Sequence, residues 1–265
     1  MYPFNYHRAA SLDEAAKLLS GSPEAKLIAG GQTLLPTMKQ RLASPSDLID
    51  LSRIADLRSI AADKTSVRIG AMATHAEVAG SGDVATAIPA LAALAGGIGD
   101  PHVRSVGTLG GSVANNDPAA DYPAALLGLN AGIVTNHRTV AADEFFTGLF
   151  TTALDDEEII IAVDFPIPAR AGYAKFRNPA SRYAIVGVFV AETGGGVRVA
   201  VTGAGADGVF RVPEMEQALA GNFSPDAIAD MSVPAGGLNG DIHASAEYRA
   251  HLITVMAKRA VAAAS

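Results

Sequence analysis

The residues best placed for chemistry lie between Gly96 and Asp121, in G-G-I-G-D-P-H-V-R-S-V-G-T-L-G-G-S-V-A-N-N-D-P-A-A-D. Glycine, proline and small polar side chains dominate this stretch, and bulky apolar ones are nearly absent. Glycine permits positive φ and a close approach of backbone to a ligand. Thr108, Gly110, Gly111 and Ser112 are expected to offer a run of unobstructed backbone N–H groups with a hydroxyl on either side. Such a run forms an anion-binding concavity. Taken alone, the stretch is equally a long glycine-rich surface loop.

A second stretch shifts the balance. Lys26-Leu27-Ile28-Ala29 reads as a short buried strand, Gly30-Gly31-Gln32-Thr33 as a turn, and Leu34 to Gln40 as a helix with proline in its first turn. Strand, glycine turn and helix N-terminus is the arrangement in which backbone amides receive a phosphate. No Lys or Arg lies between Leu27 and Met38, so the attraction has to come from N–H groups. That suits a ligand gripped by its pyrophosphate. Two glycine turns in one chain point to one phosphorylated cofactor held from two sides.

The motifs also carry a resemblance. A-G-G-Q-T-L-L at 29–35, R-L at 41–42 and L-I-D-L at 48–51 resemble the first flavin motif of the medium subunits of molybdenum hydroxylases. That family includes the flavoprotein subunits of carbon monoxide dehydrogenase and bacterial xanthine dehydrogenase. H-V-R-S-V-G-T-L-G-G-S at 102–112, followed by D-P-A-A-D at 117–121, resembles its second motif. I-G-A-M-A-T-H at 69–75, K-F-R-N-P-A-S-R-Y-A at 175–184 and D-I-H-A-S-A-E-Y-R at 241–249 are similar to further family segments, so the match spans the chain in order. This sequence departs from the family in having Ser112 for Asn, Leu109 for Ile, and Arg182 where many relatives have Asp.

The resemblance implies an α+β chain: a p-cresol methylhydroxylase-type FAD-binding domain of two α/β subdomains, then a small C-terminal domain with an antiparallel sheet and helices. It implies non-covalent FAD, with Leu27, Ile28, Ala29, Gly30, Gly31, Gln32, Thr33 and Leu34 on one side of the pyrophosphate. Thr108, Leu109, Gly110, Gly111 and Ser112 lie on the other. Asp121 reaches the ribityl or ring region, and Lys175 and Tyr183 lie near the isoalloxazine. By the same resemblance the chain is an electron-transfer subunit with no catalytic residues of its own. Molybdopterin belongs to a large partner and [2Fe-2S] clusters to a small iron–sulfur partner, in a dimer of heterotrimers. The alternative is a stand-alone FAD-dependent oxidase or dehydrogenase of the same flavin fold; such an enzyme carries a larger substrate-capping domain, for which residues 171–265 are few. A regulator that has lost its flavin is the third class, and the intact glycines at 30, 31, 110 and 111 speak against it.

These motifs need elements to position them. Ser11-Leu12-Asp13-Glu14 has capping-box spacing and opens a helix. With the strand from Lys26 and a returning strand from Asp47 to Leu51, residues 1 to about 55 form a βαβ-like lobe. A strand is expected at Arg68 to Ala71, a helix from Val84 to Ala95, a helix at Ala124 to Leu129, and a strand from Ile133. Glu158 to Phe165 is a nearly continuous apolar run, hence a central strand. Pro166 to Gly172 is the domain boundary, dividing 1–170 (subdomains about 1–55 and 56–170) from 171–265. Beyond it, Tyr183 to Ala191 and Val197 to Thr202 read as a hairpin, and Ser245 to Ala264 as a helix.

Composition sets the limits. The 265 residues carry a net charge of −7, which disfavours nucleic acid and anionic membranes. No apolar run suits a membrane helix, and the N-terminus lacks a signal-peptide layout, so the expected location is the cytoplasm. There is no cysteine, hence no thiolate-held cluster on this chain. Gly203 to Gly208 satisfies G-x-G-x-x-G, but the strand-like Val209 to Val212 that follows is not the helix a dinucleotide turn requires. His75, His102, His137 and His243 read as polar loop residues, and Asp155 to Glu158 as a solvated acidic run.

Overall fold

Strand–helix alternation at the start of the chain produces parallel pairing. A computed structural model of the chain describes all of residues 1–265. β1 (Asn5–Arg8), β2 (Lys26–Ile28) and β3 (Asp47–Asp50) form a sheet in the order β1-β3-β2, with β3 parallel to both neighbours. α1 (Leu12–Ser20) and α2 (Leu34–Lys39) make the crossovers. Ser11 Oγ accepts the Glu14 N–H at 3.2 Å, and the Glu14 carboxylate accepts the Ala10 N–H at 2.8 Å.

The second unit is an antiparallel sheet of β4 (Ile60–Ala62), β5 (Ser66–Gly70), β6 (Gly132–Thr135), β7 (Thr139–Ala141) and β10 (Ile160–Pro166). Its order is β4-β5-β10-β6-β7, so the apolar strand β10 is central. Between β5 and β6 run six short helices: α3 (His75–Gly80), α4 (Gly82–Ala87), α5 (Pro89–Gly96), α6 (Pro101–Val106), α7 (Leu109–Asn115) and α8 (Tyr122–Leu129). After β7 come α9 (Ala142–Phe145) and the small hairpin β8 (Phe146–Gly148) and β9 (Thr151–Thr152). Ile69, Leu91, Leu126, Phe145 and Phe165 are fully buried between helices and sheet.

Two expectations are corrected here. The run from Val84 to Ala95 is not one helix, because Pro89 offers no N–H and forces the residue before it out of the helical region. Ile88 accordingly has φ −141° and ψ 74°, and the run divides into α4 and α5. The stretch from Gly96 to Asp121 is not a loop throughout but holds α6 and α7, each started by a side-chain cap. Asp100 Oδ1 accepts the Val103 N–H at 3.0 Å, and Thr108 Oγ1 accepts the Gly111 N–H at 3.2 Å.

The third unit is the antiparallel sheet β11 (Arg170–Arg177), β12 (Ala184–Thr193), β13 (Gly196–Thr202) and β14 (Phe210–Arg211), with α10 (Pro213–Gly221) and α11 (Ala246–Ala262). Val188, Val190, Val199 and Val201 face Ile253 and Met256 of α11 in one core. Phe189, Ala191 and Ala200 alternate onto the opposite face and join the core of the second unit. There α8 comes so close that a Cβ on Gly128 would lie 2.7 Å from the Phe189 ring. After β13, Gly203 (φ 84°) and Gly208 (φ 109°) turn the chain back to β14.

The acidic run before β10 is only partly solvated. Glu158 is buried, with both oxygens on Arg138 (Nε and Nη2, each 2.8 Å) and further bonds from Thr135 Oγ1 at 3.0 Å and the Asp155 N–H at 2.9 Å. The Arg138 bonds hold its carboxyl down at about 2, against an ordinary 4.5. A depressed carboxylate stabilises the fold fully above its unfolded value, and that contribution disappears as pH falls through the folded one. Glu158→Gln should therefore lower the urea midpoint at neutral pH, and the gap to wild type should close as pH falls from 4.5 towards 2. A gap independent of pH across that window would contradict the ion pair.

Candidate functional site

β2 delivers its glycine turn to one wall of a cavity of about 700 Å³, and the whole predicted segment from Leu27 to Leu34 lines it. Gly31 has φ 66°, a conformation that favours glycine. Gly30 is required for a different reason: a Cβ there would lie 2.2 Å from the Val106 carbonyl oxygen and 2.8 Å from Gly107 Cα. The two glycine turns are thus packed against each other. The backbone amides of Gly30, Gly31, Gln32, Thr33 and Leu34 donate to no acceptor in the chain. Five successive unpaired donors around a positive φ make a cradle for an anion.

The second turn is used differently, and the expected run of free amides is absent there. The Leu109 N–H donates to Ala73 O at 3.0 Å, and the Gly110 N–H to Ala71 O at 2.8 Å. Those of Gly111 and Ser112 are held by Thr108, through Oγ1 at 3.2 Å and the carbonyl at 3.1 Å. Gly110 is needed for packing, since its Cβ would stand 2.6 Å from that of Ala71. Leu109 is fully buried in the core and does not line the cavity. Thr108, Gly110, Gly111 and Ser112 do line it, and Gly111 is exposed there. A Cβ on Gly111 would lie 3.8 Å from that of Ala29, so this surface faces the first turn across the cleft.

At another part of the cavity stands Asp121, 4% exposed. The Lys175 ammonium donates to it (2.9 Å to Oδ1, 3.0 Å to Oδ2) and to Gly97 O at 2.9 Å, and the Tyr173 hydroxyl donates to Oδ1. Burial pushes the Asp121 carboxyl up, while the Lys175 charge and the Tyr173 hydroxyl pull it down. Burial, then the Asp121 charge, drives the Tyr173 phenol well above its usual range. Lys175 itself does not line the cavity; it stands behind Asp121. Tyr183 lines it and is 46% exposed, beside Ser181 and Arg182. Arg182 has φ 64° and donates from Nη1 to Gly99 O at 3.3 Å across the opening.

His75 is no loop residue. Thr74 caps α3, and His75 opens it, buried and lining the cavity. Its ring lies against Gly107, whose Cβ would meet Nε2 at 2.7 Å. Burial, reinforced by the Arg104 charge, lowers its pKa to about 4, so the imidazole is neutral at pH 7. Its Nδ1 and the nearby Tyr122 hydroxyl are both buried without a partner.

Tyr173, His75, Ser181 and Arg182, with Asp117 also on the cavity wall, are additional to the residues expected at or behind this site. Tyr173 had a signal in the sequence: residues two apart in a strand share a face, which places it beside Lys175 on β11. His75 had one in the T-H step that ends the segment at 69–75.

The chain is similar to known proteins along nearly its whole length. Residues 2–168 match the family model described as the FAD binding domain in molybdopterin dehydrogenase. The chain is 38% identical to the nicotine 6-hydroxylase medium subunit of Paenarthrobacter nicotinovorans, over 97% of this chain and 95% of that one. It is 36% identical to the carbon monoxide dehydrogenase medium chain of Hydrogenophaga pseudoflava, over 98% and 96%. Among solved structures, reconstituted CO dehydrogenase from Oligotropha carboxidovorans superposes with a TM-score of 0.90 at 32% identity, covering 99% of this chain and 98% of that one. Quinoline 2-oxidoreductase from Pseudomonas putida 86 superposes with a TM-score of 0.88 at 29% identity, covering 98% and 96%. With its cradle of unpaired amides and matches along nearly its whole length, the chain belongs to the family of FAD-binding subunits of molybdopterin dehydrogenases.

Proposed function

We propose that this chain is the FAD-carrying electron-transfer subunit of a multi-subunit molybdenum hydroxylase. The observation that carries the site assignment is the set of unpaired amides from Gly30 to Leu34, opening into a cavity of about 700 Å³. These residues fit a dinucleotide: the amides receive the pyrophosphate, and Thr108, Gly111 and Ser112 close on it from across the cleft. Asp121, paired with Lys175 and Tyr173, accepts from a hydroxyl or ring N–H of the cofactor, and Tyr183 packs at its ring. Leu109 and Lys175 act from behind, as core packing and as a counter-charge. Bound here, the flavin supplies the redox chemistry, while the protein binds, orients and tunes it. Neutral His75 adds no charge beside the two turns.

Relatives with full-length similarity are named medium subunits or medium chains, which supports an assembly with large and small partners. In that assembly molybdopterin sits on the large subunit and [2Fe-2S] clusters on the small one. This chain passes electrons from the clusters to an external acceptor, within a cytoplasmic dimer of heterotrimers. No helix of the chain is long and apolar enough to cross a membrane.

The chain should hold one FAD reversibly. Acid precipitation should leave the flavin in the supernatant at about one per chain. Flavin carried down with the pellet would show a covalent link and sink this assignment.

A further inference from the structure

Three carboxylates line the cavity of about 700 Å³: Asp117, Asp121 and Glu158. Two of them are paired, Asp121 with Lys175 (2.9 Å) and Glu158 with Arg138 (2.8 Å). Asp117 has no such cation, and burial pushes its carboxyl up without an opposing charge. Its Oδ1 accepts the Ala119 N–H at 2.8 Å, while its Oδ2 accepts nothing from the chain. The residue is half-buried, and Oδ2 is not sealed in the core. A partly desolvated charge without a counter-charge is costly, and such groups gather at functional sites. Its place is set by α7, which carries Gly111, Ser112, Ala114 and Asn115 along the cavity wall and ends just before it. At 1.5 Å per residue, Asp117 lies about 9 Å beyond Gly111 and the turn it belongs to. Tyr183 shares that end of the cavity: burial, then the Asp117 and Asp121 charges, push its phenol up.

We propose that Asp117 tunes the flavin: ionised, it holds the reduction potential down, and it takes up a proton when electrons arrive. The inference rests on the flavin assignment above, with the ring at the Asp121 and Tyr183 end. A lone carboxylate would repel the pyrophosphate, so its place beyond the cradle suits FAD; beside the ring the same charge opposes added electrons. Two electrons come from the clusters of the small partner and two protons from solvent. One proton goes to a ring nitrogen and the other to Asp117 Oδ2. Both return to solvent when the electrons leave for the acceptor. No other group on the lining can take that proton. Lys175 and Tyr173 occupy the Asp121 oxygens, and Arg138 holds the Glu158 carboxyl at about 2. The His75 Nδ1 is sealed in the core, and Lys26 and Arg182 form no ion pair with Asp117.

The test is a redox titration of the full flavin-loaded chain, followed by flavin absorbance, in wild type and Asp117→Asn. The variant keeps an oxygen for the Ala119 N–H and removes only the charge. At about pH 8 its midpoint should lie above that of wild type by about 30 mV or more, a tenfold shift in a two-electron equilibrium. The gap should narrow as pH falls towards about 5, because a protonated Asp117 and an asparagine carry the same charge. FAD content should be unchanged. Asp13→Asn removes the same charge from an exposed position on α1, off the cavity, and should leave the midpoint in place. Equal midpoints in wild type and Asp117→Asn, a gap independent of pH, or an equal shift in Asp13→Asn would overturn the inference while leaving the flavin assignment standing. So would a changed FAD affinity with an unmoved midpoint, which would make Asp117 a binding residue only. A wild-type chain that takes up no FAD would overturn that assignment, and the role of Asp117 with it.

Discussion

Gly111→Asp will leave the fold standing and abolish flavin binding. Gly111 is the third residue of α7, after the Thr108 cap, and a carboxylate in the first turn of a helix is favourable for the helix itself. The added Cβ lies 2.9 Å from the Thr108 hydroxyl and 3.8 Å from the Ala29 Cβ, so the Thr108 cap has to shift, at a cost of about 1 kcal/mol. The carboxylate, however, would stand between the two glycine turns, where we propose that the pyrophosphate lies. Like charges in a partly desolvated cleft repel by several kcal/mol, about 3 or more, which is over a hundredfold in affinity. The check is the flavin-to-protein ratio after purification, with circular dichroism and the melting point of flavin-free protein showing an intact fold. Gly111→Ala serves as control and should stay within about tenfold of wild type. Full flavin occupancy in Gly111→Asp would place the cradle elsewhere.

Lys175→Met should have the largest effect on stability. Lys175 and Asp121 are each 4% exposed in their side chains, and Lys175 also holds the Gly97 carbonyl at the end of α5. Removing one partner of a buried ion pair leaves an uncompensated charge and costs about 3–5 kcal/mol. Burial then acts on the Asp121 carboxyl with less opposition, pushing it further up. The double variant Lys175→Met with Asp121→Asn should recover much of the loss, because no charge is left buried. Urea unfolding of the single and double variants measures both. A single-variant loss below about 1 kcal/mol, or no recovery in the double, would show the pair to be unimportant.

Much of this was legible because local rules and tertiary context agree. The βαβ start, the central β10, the hairpin of β12 and β13 and the terminal α11 follow from period, caps and turn residues. The first glycine turn was legible for the same reason: its strand, its positive φ at Gly31 and the following helix are all short-range facts. Pro89 marks its helix break in the sequence itself.

The second turn was only half legible. Residue types show that the chain must be small at Gly110, but not that the neighbour demanding it is Ala71 rather than a ligand. Nor do they show that the Ala71 and Ala73 carbonyls take the Gly110 and Leu109 amides. Glu158 misleads for a similar reason: a run of acidic residues is usually solvated, and only the fold brings Arg138 against this one. Lys175 was placed at the site by resemblance, yet its function there depends on Tyr173 and Asp121, which a linear reading cannot pair.

The central claim is that electrons pass through the flavin of this chain. Anaerobic stopped-flow on the oxidised complex, mixed with the substrate of its large subunit, tests it most directly. The iron–sulfur signals should bleach first, and the flavin absorbance should follow within the time of one turnover. The isolated chain should stay oxidised with the same substrate. Clusters that reduce while the flavin remains oxidised would contradict the relay, and rapid reduction of the isolated chain by that substrate would make it a stand-alone dehydrogenase instead.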